Sequence, residues 1–242
     1  METVEDGKKC AALFRQYRDG CKEAYQAMAK TADYTLDTNR QARLVRPLAF
    51  DLLNEQQKEY ARKRLIQALE NYGWRLGTGF LSTPLILDVL ADIDIEAAYR
   101  LLENERIPGW LAMPRLGATT IWERWNSYML DKGMGPKGMN SFNHYAYGCV
   151  CEWIWETAAG IAADPAQPGF KHIIMRPIPD KRLGHITAEY NSAAGLIKSA
   201  WRYEGDKWIW EFTIPEGSTA TVTLPGQTES KDYTAGSYTV EM

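Results

Sequence analysis

The 242-residue sequence has little of several residue types that mark common functional sites. Its three histidines and four cysteines show neither metal-ligand spacing nor a CxxC pair. It also lacks a glycine-rich phosphate loop and a GxSxG nucleophile elbow. These absences argue against a zinc site, nucleotide binding and serine hydrolysis, and no residue calls for a cofactor. We interpret the cysteines as small core residues, namely Cys10, Cys21, Cys149 and Cys151.

Long apolar runs and clusters of one charge are also missing. No apolar stretch approaches the roughly 18 residues that suggest a membrane span, and residues 1–10 lack the apolar region of a signal peptide. The formal net charge is −3, and the short basic run at 61–64 lies in a helical pattern. The sequence therefore predicts a soluble protein without a nucleic-acid or membrane partner. The sequence does not assign a cellular compartment. The alternatives are the cytoplasm and, for a longer parent protein, the periplasm or secretion.

The first two-thirds of the sequence has the periodicity of helices. Apolar residues and helix-forming residues alternate over 8–32, and Thr38 begins a capping-box pattern before the next helix. Asn54 is the expected cap of a helix that runs to about residue 72, and further helices are predicted from Thr83 and over 95–104. These segments follow each other closely, which indicates consecutive helical hairpins.

The strongest helical pattern covers residues 141–161. Apolar side chains recur at the i, i+3, i+4 and i+7 spacing of one helix face. The opposite face carries His144, Tyr147, Cys151 and Trp155, which is unusually aromatic for a surface exposed to solvent. The pattern therefore predicts an inner helix that is covered on both sides.

The period changes to two after about residue 169. Residues 197–203 and 208–214 alternate around the turn at 204–207, which predicts a β-hairpin with an aromatic face. Further strands are expected at 219–224 and 238–242, as in an antiparallel β-sandwich. Because the stretch 163–169 is rich in proline and glycine, we predict a helical domain over 1–165 and a β-sandwich domain over 170–242.

The segment GATTIWERWNSYM, residues 117–129, places one carboxylate, Glu123, between Trp122 and Trp125. Aromatic rings stack on the apolar faces of sugars, and carboxylates bind hydroxyl groups or activate water. This arrangement favours a sugar site, with Trp110 and His144 nearby in the sequence. The alternative is a structural glutamate paired with Arg124 or Arg115, and tryptophans that only fill the core.

Several segments occur in an order that resembles a known family. They are TGFLSTPLILDVL (78–90), AAYRLL (97–102), IPGWLAM (107–113), GATTIWERWNSYM (117–129), MNSFNHYAYGCVCEWIW (139–155) and the sandwich segment 175–225. This combination resembles the C-terminal half of the catalytic domain of a bacterial α-L-rhamnosidase, together with its C-terminal domain. That family is an inverting glycoside hydrolase with an (α/α)6 barrel followed by a β-sandwich. The resemblance covers roughly residue 38 to the C-terminus and implies rhamnose-containing glycosides or polysaccharides as partners.

The resemblance implies a role for individual residues. Glu123 matches the family's catalytic general base, and His144 matches the histidine that contacts the bound rhamnose. Trp110 is a candidate pocket wall. Trp122 and Trp125 are candidates for substrate contact, with packing around the Glu123 backbone as the alternative. For His144 the alternative is a hydrogen bond to backbone near Asn140, at the start of a helix.

One departure from the family concerns the general acid. In the family it lies in an upstream segment of clustered aspartate, arginine and glutamate, and this sequence has no such segment. Asp33, Asp37, Asp51 and the glutamates of 55–59 lack that context. The helices are also about half of those that an (α/α)6 barrel requires. We therefore expect a fragment that begins inside the barrel, need not be active alone, and exposes apolar inner faces that favour self-association.

The sequence thus predicts part of an (α/α)6 barrel followed by an antiparallel β-sandwich. The predicted function is inverting hydrolysis of terminal α-L-rhamnosyl residues, with Glu123 as the base. One alternative is another inverting (α/α)6 glycosidase with a different sugar specificity. The other is a non-catalytic carbohydrate-binding or assembly protein, for which the missing general acid is the main support.

Overall fold

The computed structural model describes residues 2–28 and 36–242 of the chain. Asp33 and the end of the helix predicted over 8–32 lie outside the described residues. The chain divides into two compact units, Met1–Cys149 and Val150–Met242. Helices come first and strands second, which confirms the predicted α-then-β order.

The first unit consists mainly of helices. They are α1 (Glu2–Met28), α2 (Gln41–Ala49), α3 (Glu55–Asn71), α4 (Thr83–Ala91), α5 (Ile95–Leu102) and α6 (Ala112–Arg115). Helix α2 packs against α3 and α4, and α4 packs against α5. Helices α2 to α5 each bury an apolar face, with Leu44, Leu65, Leu69, Ile86 and Leu101 fully covered. The consecutive helical hairpins expected from the sequence are therefore present.

The two predicted helix caps have different outcomes. Asn54 caps α3 as expected: its side chain accepts the Gln57 amide, and the Gln57 side chain accepts the Asn54 amide. The capping box predicted at Thr38 is wrong. Helix α2 begins later, with Arg40 as a cap that forms no side-chain bond. The Thr38 hydroxyl instead accepts the Arg40 amide at 3.1 Å in a local turn.

The continuous helix predicted over 141–161 is wrong. Residues 141–145 are not helical, and the chain then forms a 3₁₀ turn (Ala146–Cys149), the short helix α7 (Val150–Trp153) and a π turn (Ile154–Ala158). Cys151 is exposed, so the face that carries it is not covered, and the prediction that this segment is covered on both sides is wrong. The interpretation of the cysteines as core residues is also wrong, since Cys10 and Cys21 are exposed and Cys149 is only half-buried.

Helix α1 carries large apolar side chains on its surface. Leu13, Phe14 and Tyr17 are all exposed. This agrees with the expected exposure of apolar faces, while self-association through them stays a prediction. None of the helices in residues 2–28 and 36–242 is long and apolar enough to cross a membrane.

The second unit contains two four-stranded sheets, and a two-stranded hairpin precedes it in the first unit. The strands are β1 (Tyr128–Met129), β2 (Gly133–Met134), β3 (Ile161–Ala163), β4 (His172–Met175), β5 (His185–Ser192), β6 (Gly195–Glu204), β7 (Lys207–Ile214), β8 (Thr219–Thr223), β9 (Ser230–Tyr233) and β10 (Gly236–Glu241). The sheet orders are β3-β4-β8-β9 and β10-β7-β6-β5. All pairs are antiparallel except β4 and β8, which run parallel.

The two sheets of the second unit share one core. Ile173 and Val222 from one sheet pack in the same cluster as Trp201, Trp210 and Phe212 from the other. The predicted hairpin is confirmed as β6 and β7, joined at Glu204–Lys207. Strand β3 pairs with β4, and the second unit therefore includes residues ahead of the predicted division at 165–170. The position of the domain boundary between 165 and 170 stays a prediction.

Candidate active site

Glu123 lies in a loop between α6 and β1 that the surrounding backbone holds firmly. Helix α6 ends at Arg115, and Gly117 follows its cap with a φ of 82° and donates its amide to the Pro114 carbonyl at 2.9 Å. Further along the loop, the buried Ser127 hydroxyl accepts the Arg124 amide at 3.2 Å. The Ser127 carbonyl accepts the Gly135 amide at 2.8 Å, beyond the turn of the β1–β2 hairpin. The loop is therefore anchored at both ends.

A second segment, residues 141–144, pairs with the Glu123 loop. The Glu123 amide donates to the Ser141 carbonyl at 2.9 Å, and the Ser141 amide donates to Glu123 Oε2 at 2.8 Å. Three residues later, the His144 amide donates to the Ile121 carbonyl at 2.8 Å. These bonds fix the position of the carboxylate and place Glu123 and His144 on paired strands of backbone.

These bonds use only one of the two oxygens of the Glu123 carboxylate. Its side chain is half-buried, and Oε1 has no hydrogen bond to any residue that the structure describes. Within the same described part, Glu123 forms no ion pair with Arg124 or Arg115, and Arg115 pairs with Glu105 instead. The structural ion pair considered as an alternative is therefore wrong, and one carboxylate oxygen is available to a ligand or to water.

The three candidate tryptophans pack beneath this loop. Trp110, Trp122 and Trp125 are 6%, 4% and 8% exposed, so they offer little surface to a ligand. Trp122 contacts Phe142 and Tyr128 edge-on, with ring centroids 5.5 and 6.4 Å apart. Their packing supports the backbone on either side of Glu123, while direct substrate contact stays a prediction.

Trp110 and Trp125 also fix the segment that follows His144. Trp110 donates its indole N–H to the Tyr147 carbonyl at 3.0 Å. Trp125 stacks on the Tyr147 ring, with centroids 3.7 Å apart. Burial raises the pKa of the Tyr147 phenol, the nearby Cys149 thiol adds to this effect, and the Arg124 guanidinium opposes it. The Tyr147 phenol therefore keeps its proton at neutral pH.

His144 is fixed by its own local bonds. Its Nδ1 accepts the Ala146 amide at 3.2 Å, so the neutral imidazole carries its proton on Nε2. The ring is half-buried and lies parallel to the rings of Phe80 and Tyr145, at centroid distances of 5.0 and 5.5 Å. The His144 side chain thus bonds to backbone as the alternative role requires, but at Ala146 and not near Asn140. This bond leaves Nε2–H available to donate to a ligand.

Sequence reasoning missed three residues that the structure adds to this site. Ser141 provides both halves of the link to Glu123, while Phe80 and Tyr145 lie parallel to His144. The segments quoted from the sequence contain all three residues, but no period or spacing indicated their contacts. The assembled site combines a held carboxylate, a donor imidazole and exposed aromatic rings, which are the groups that bind and hydrolyse sugars.

Comparison with known proteins identifies the family. The family model of the bacterial α-L-rhamnosidase six-hairpin glycosidase domain matches residues 2–158, and that of the bacterial α-L-rhamnosidase C-terminal domain matches residues 160–238. An α-L-rhamnosidase of Formosa agariphila is 39% identical over 88% of this chain. One of Streptomyces avermitilis is 34% identical over 93%. The chain spans only 23% and 21% of the length of these two curated relatives.

Two solved structures share the fold. The Streptomyces avermitilis α-L-rhamnosidase complexed with L-rhamnose matches 91% of this chain with a TM-score of 0.80 and 30% identity, over 23% of its own length. The native α-L-rhamnosidase from Aspergillus terreus matches 99% of this chain with a TM-score of 0.86 and 30% identity, over 28% of its own length. The described helices and sheets agree with both family models. The chain therefore belongs to the bacterial α-L-rhamnosidase family, with part of the six-hairpin glycosidase domain followed by the C-terminal β domain.

Proposed function

We propose that this chain carries the general base and a sugar-binding histidine of an inverting α-L-rhamnosidase. The reaction is hydrolysis of terminal α-L-rhamnosyl residues from glycosides or polysaccharides. The observation that carries the proposal is the pairing of residues 121–123 with 141–144, which holds the Glu123 carboxylate at the Ser141 amide and includes His144 in the paired segment. The names of the relatives and of the rhamnose-bound structure support the choice of sugar.

Glu123 acts on water in this proposal. Oε2 is held by the Ser141 amide, so Oε1 receives a proton from a water molecule. The water oxygen attacks the anomeric carbon from the face opposite the leaving group, and the glycosidic C–O bond breaks. An inverting site keeps its two carboxyl groups about 6.5–9.5 Å apart to leave room for this water. Base assistance of this kind contributes about 10²–10⁴-fold to the rate.

His144 binds the sugar without taking a proton from it. Its Nε2–H donates to a hydroxyl oxygen of rhamnose, because the Ala146 amide occupies Nδ1. Trp110, Trp122 and Trp125 contribute mainly by holding the backbone of both segments, as their burial indicates. The general acid is assigned to no residue of this chain. The complete activity is proposed for a protein that contains the acid segment of the family.

The test compares the chain with its Glu123→Gln variant on 4-nitrophenyl α-L-rhamnoside. Nitrophenolate leaves with little acid assistance, so a remote or absent general acid does not mask the role of the base. We expect Glu123→Gln to lower turnover by about 10²–10⁴-fold. L-rhamnose binding is retained, because glutamine preserves the shape of the side chain. The control is Glu70→Gln, which changes an exposed glutamate on α3 and leaves turnover unaltered.

Other outcomes separate the alternatives. Faster turnover of other nitrophenyl glycosides than of the rhamnoside identifies another inverting glycosidase of this fold. Binding of L-rhamnose without turnover, in this chain and in a longer parent protein, identifies a non-catalytic carbohydrate-binding protein. Equal turnover by the chain and Glu123→Gln removes Glu123 as the base.

A further inference from the structure

Helix α1 has a long surface that the rest of the first unit leaves uncovered. Every residue from Gly7 to Cys21 is exposed. The helix is anchored further along, where Lys22 forms an ion pair with Asp51 at 3.1 Å and the Gln26 side chain donates to the Leu52 carbonyl. About four turns of helix therefore extend from the anchored end with all their side chains accessible.

One side of this exposed stretch has the same pattern in both chain directions. Small, thiol and aromatic residues recur there at the spacing of three and four that places them on one side of a helix. In chain order, this α1 stripe consists of Gly7, Cys10, Phe14, Tyr17, Cys21 and Ala24. The stripe contains no charged residue, and Phe14 and Tyr17 at its centre are 69% and 67% exposed. Its order is small, thiol, aromatic, aromatic, thiol, small, which is symmetric about the point between the two rings.

This symmetry is what an interface between two identical chains requires. A two-fold axis brings the same patch of both copies together, so the patch must be complementary to itself. When two α1 helices lie antiparallel with the axis at the centre of the stripe, Phe14 of each copy faces Tyr17 of the other. Cys10 then faces Cys21, and Gly7 faces Ala24. Each ring therefore meets a ring, and the small residues at both ends allow the two backbones to approach.

The anchoring of α1 selects the antiparallel direction. Lys22 and Gln26 are one helical turn apart, and they lie on a different side of the helix from the stripe. Both are near one end of the helix, so an antiparallel pair holds the two anchored ends apart. A parallel pair would bring both anchored ends, and the units attached to them, to the same place.

Glycines within α1 also fit a close helix partner. Glycine in a helix interior is unfavourable relative to alanine. A Cβ added at Gly7 or Gly20 meets nothing within 4 Å, so no contact in the described part of the chain requires these glycines. Gly20 lines a shallow groove along α1 together with Leu13, Tyr17 and Cys21. A side chain from a second helix can enter this groove because Gly20 has none.

From this symmetry we propose that the α1 stripe binds the α1 stripe of a second copy of this chain in an antiparallel pair. The contact extends over about 26 Å of helix, from Gly7 to Ala24. Such a contact is smaller than a standard protein interface, so the dimer forms reversibly. This inference does not depend on the roles proposed for Glu123 and His144.

The first test measures mass against concentration by sedimentation equilibrium under reducing conditions. We expect the mass to rise from 27.5 kDa towards twice this value between micromolar and sub-millimolar concentrations. Phe14→Glu introduces a charge twice at the centre of the dimer, and it should weaken association by about thirtyfold or more, the loss at an interface hot spot. The matched control is Ala12→Glu, which adds the same charge to an exposed position on the opposite side of α1 and retains association.

The second test uses the native thiols to determine the direction of the pair. Diamide converts each pair of adjacent thiols into a disulfide by accepting two electrons and two protons. Cys10 and Cys21 of one helix are about 16 Å apart, too far for a bridge within one chain. We expect peptide mapping of the cross-linked dimer to find residues 10–15 joined to residues 19–22. Cys10→Ser should retain the reversible dimer but remove this bridge and form no Cys21–Cys21 bridge.

Three results would overturn the proposal. A chain that stays at 27.5 kDa at every concentration would leave the α1 stripe to another partner, such as further helices of a longer protein. A dimer that Phe14→Glu leaves intact would have its interface elsewhere. Bridges between Cys10 and Cys10, or between Cys21 and Cys21, would show a parallel pair and contradict the symmetry of the stripe.

Discussion

Asp180 is a buried carboxylate whose charge is balanced by a single neighbouring residue. Its side chain is 5% exposed. Oδ1 accepts the Arg182 amide at 2.7 Å and its Nε at 3.1 Å, while Oδ2 accepts the other guanidinium nitrogen at 2.8 Å. Burial by itself raises the pKa of Asp180, but the hydrogen bonds and charge of Arg182 outweigh burial and lower the pKa below its ordinary value.

This lowered pKa predicts an acid-sensitive contribution to stability. A carboxyl group with a lower pKa in the folded state stabilises it above the unfolded pKa of about 3.9, and this contribution disappears as the pH falls through the folded value. We expect Asp180→Asn to cost about 1–2 kcal/mol at neutral pH, the range of a charge-assisted hydrogen bond with an exposed partner. Urea denaturation at several pH values measures this difference, which narrows below about pH 4.

Glu216 provides the control for this prediction. It is exposed in the same unit, and it has no hydrogen bond or ion pair within residues 2–28 and 36–242. Glu216→Gln should leave the pH profile of unfolding as it is in the parent chain. A constant free-energy difference between the parent and Asp180→Asn at all pH values would contradict the assignment to Asp180.

Single residues of the site differ in how far the sequence predicted them. Glu123 and His144 could be proposed because each lies in a segment that resembles a known family. The roles of Ser141 and Phe80 could not, because they depend on contacts between distant segments. The Ser141 amide reaches Glu123 across 18 positions of the chain without any repeating pattern to indicate the pairing.

At the scale of elements, the same pairing explains why the helix predicted over 141–161 was wrong. The spacing of apolar residues from 142 onward fits a helix. However, the amide of His144 bonds to Ile121, and the carbonyl of Ser141 accepts the amide of Glu123. These backbone groups are therefore used between segments, and the helical turns begin only at Ala146. Tertiary hydrogen bonds prevailed over local periodicity.

The β6–β7 hairpin was predictable because its pattern is local. Residues Ile197, Ser199 and Trp201 alternate inward and are buried, and Gly205 supplies a positive φ of 65° in the turn. The pairing of β4 with β8 was not predictable, since these strands are parallel and the three strands β5, β6 and β7 lie between them in the chain. The alternation of residues within one hairpin thus determines how its two strands pair. The order of strands across a sheet depends on contacts throughout the whole unit.

Gly160 joins the π turn to β3 at a point of close backbone approach. Its φ is 71°, and a Cβ at this position would lie 2.1 Å from the Pro177 nitrogen and 2.4 Å from the Arg176 carbonyl carbon. Gly160→Ala therefore adds a backbone clash to the cost of a left-handed conformation. We expect it to destabilise the second unit by about 3–5 kcal/mol in chemical denaturation.

Gly205 is the control that distinguishes the cost of the left-handed conformation from the cost of the backbone clash. It has a similar φ of 65°, but a Cβ there meets nothing within 4 Å. Gly205→Ala should cost about 1–2 kcal/mol, the value of the left-handed conformation alone. Equal destabilisation by both substitutions would show that the close approach at Gly160 relaxes without cost.

At the scale of the whole molecule, the site is assembled within the first unit. Its residues come from the turn before α4, the loop after α6 and the segment after the β1–β2 hairpin. The second unit has its own core. The chemistry proposed for this chain rests on the named residues of the first unit, and it makes a prediction about the product.

Hydrolysis with Glu123 as a general base inverts the anomeric centre. Water attacks the face opposite the leaving group, so an α-L-rhamnoside releases β-L-rhamnose first. Proton NMR of the reaction resolves the two anomeric signals, and we expect the β signal to rise before mutarotation produces the α signal. The Glu123→Gln variant serves as the control and should release neither anomer at a comparable rate. Initial release of α-L-rhamnose would indicate retention, which requires a nucleophilic carboxylate about 5–5.5 Å from the acid and excludes Glu123 as a water-activating base.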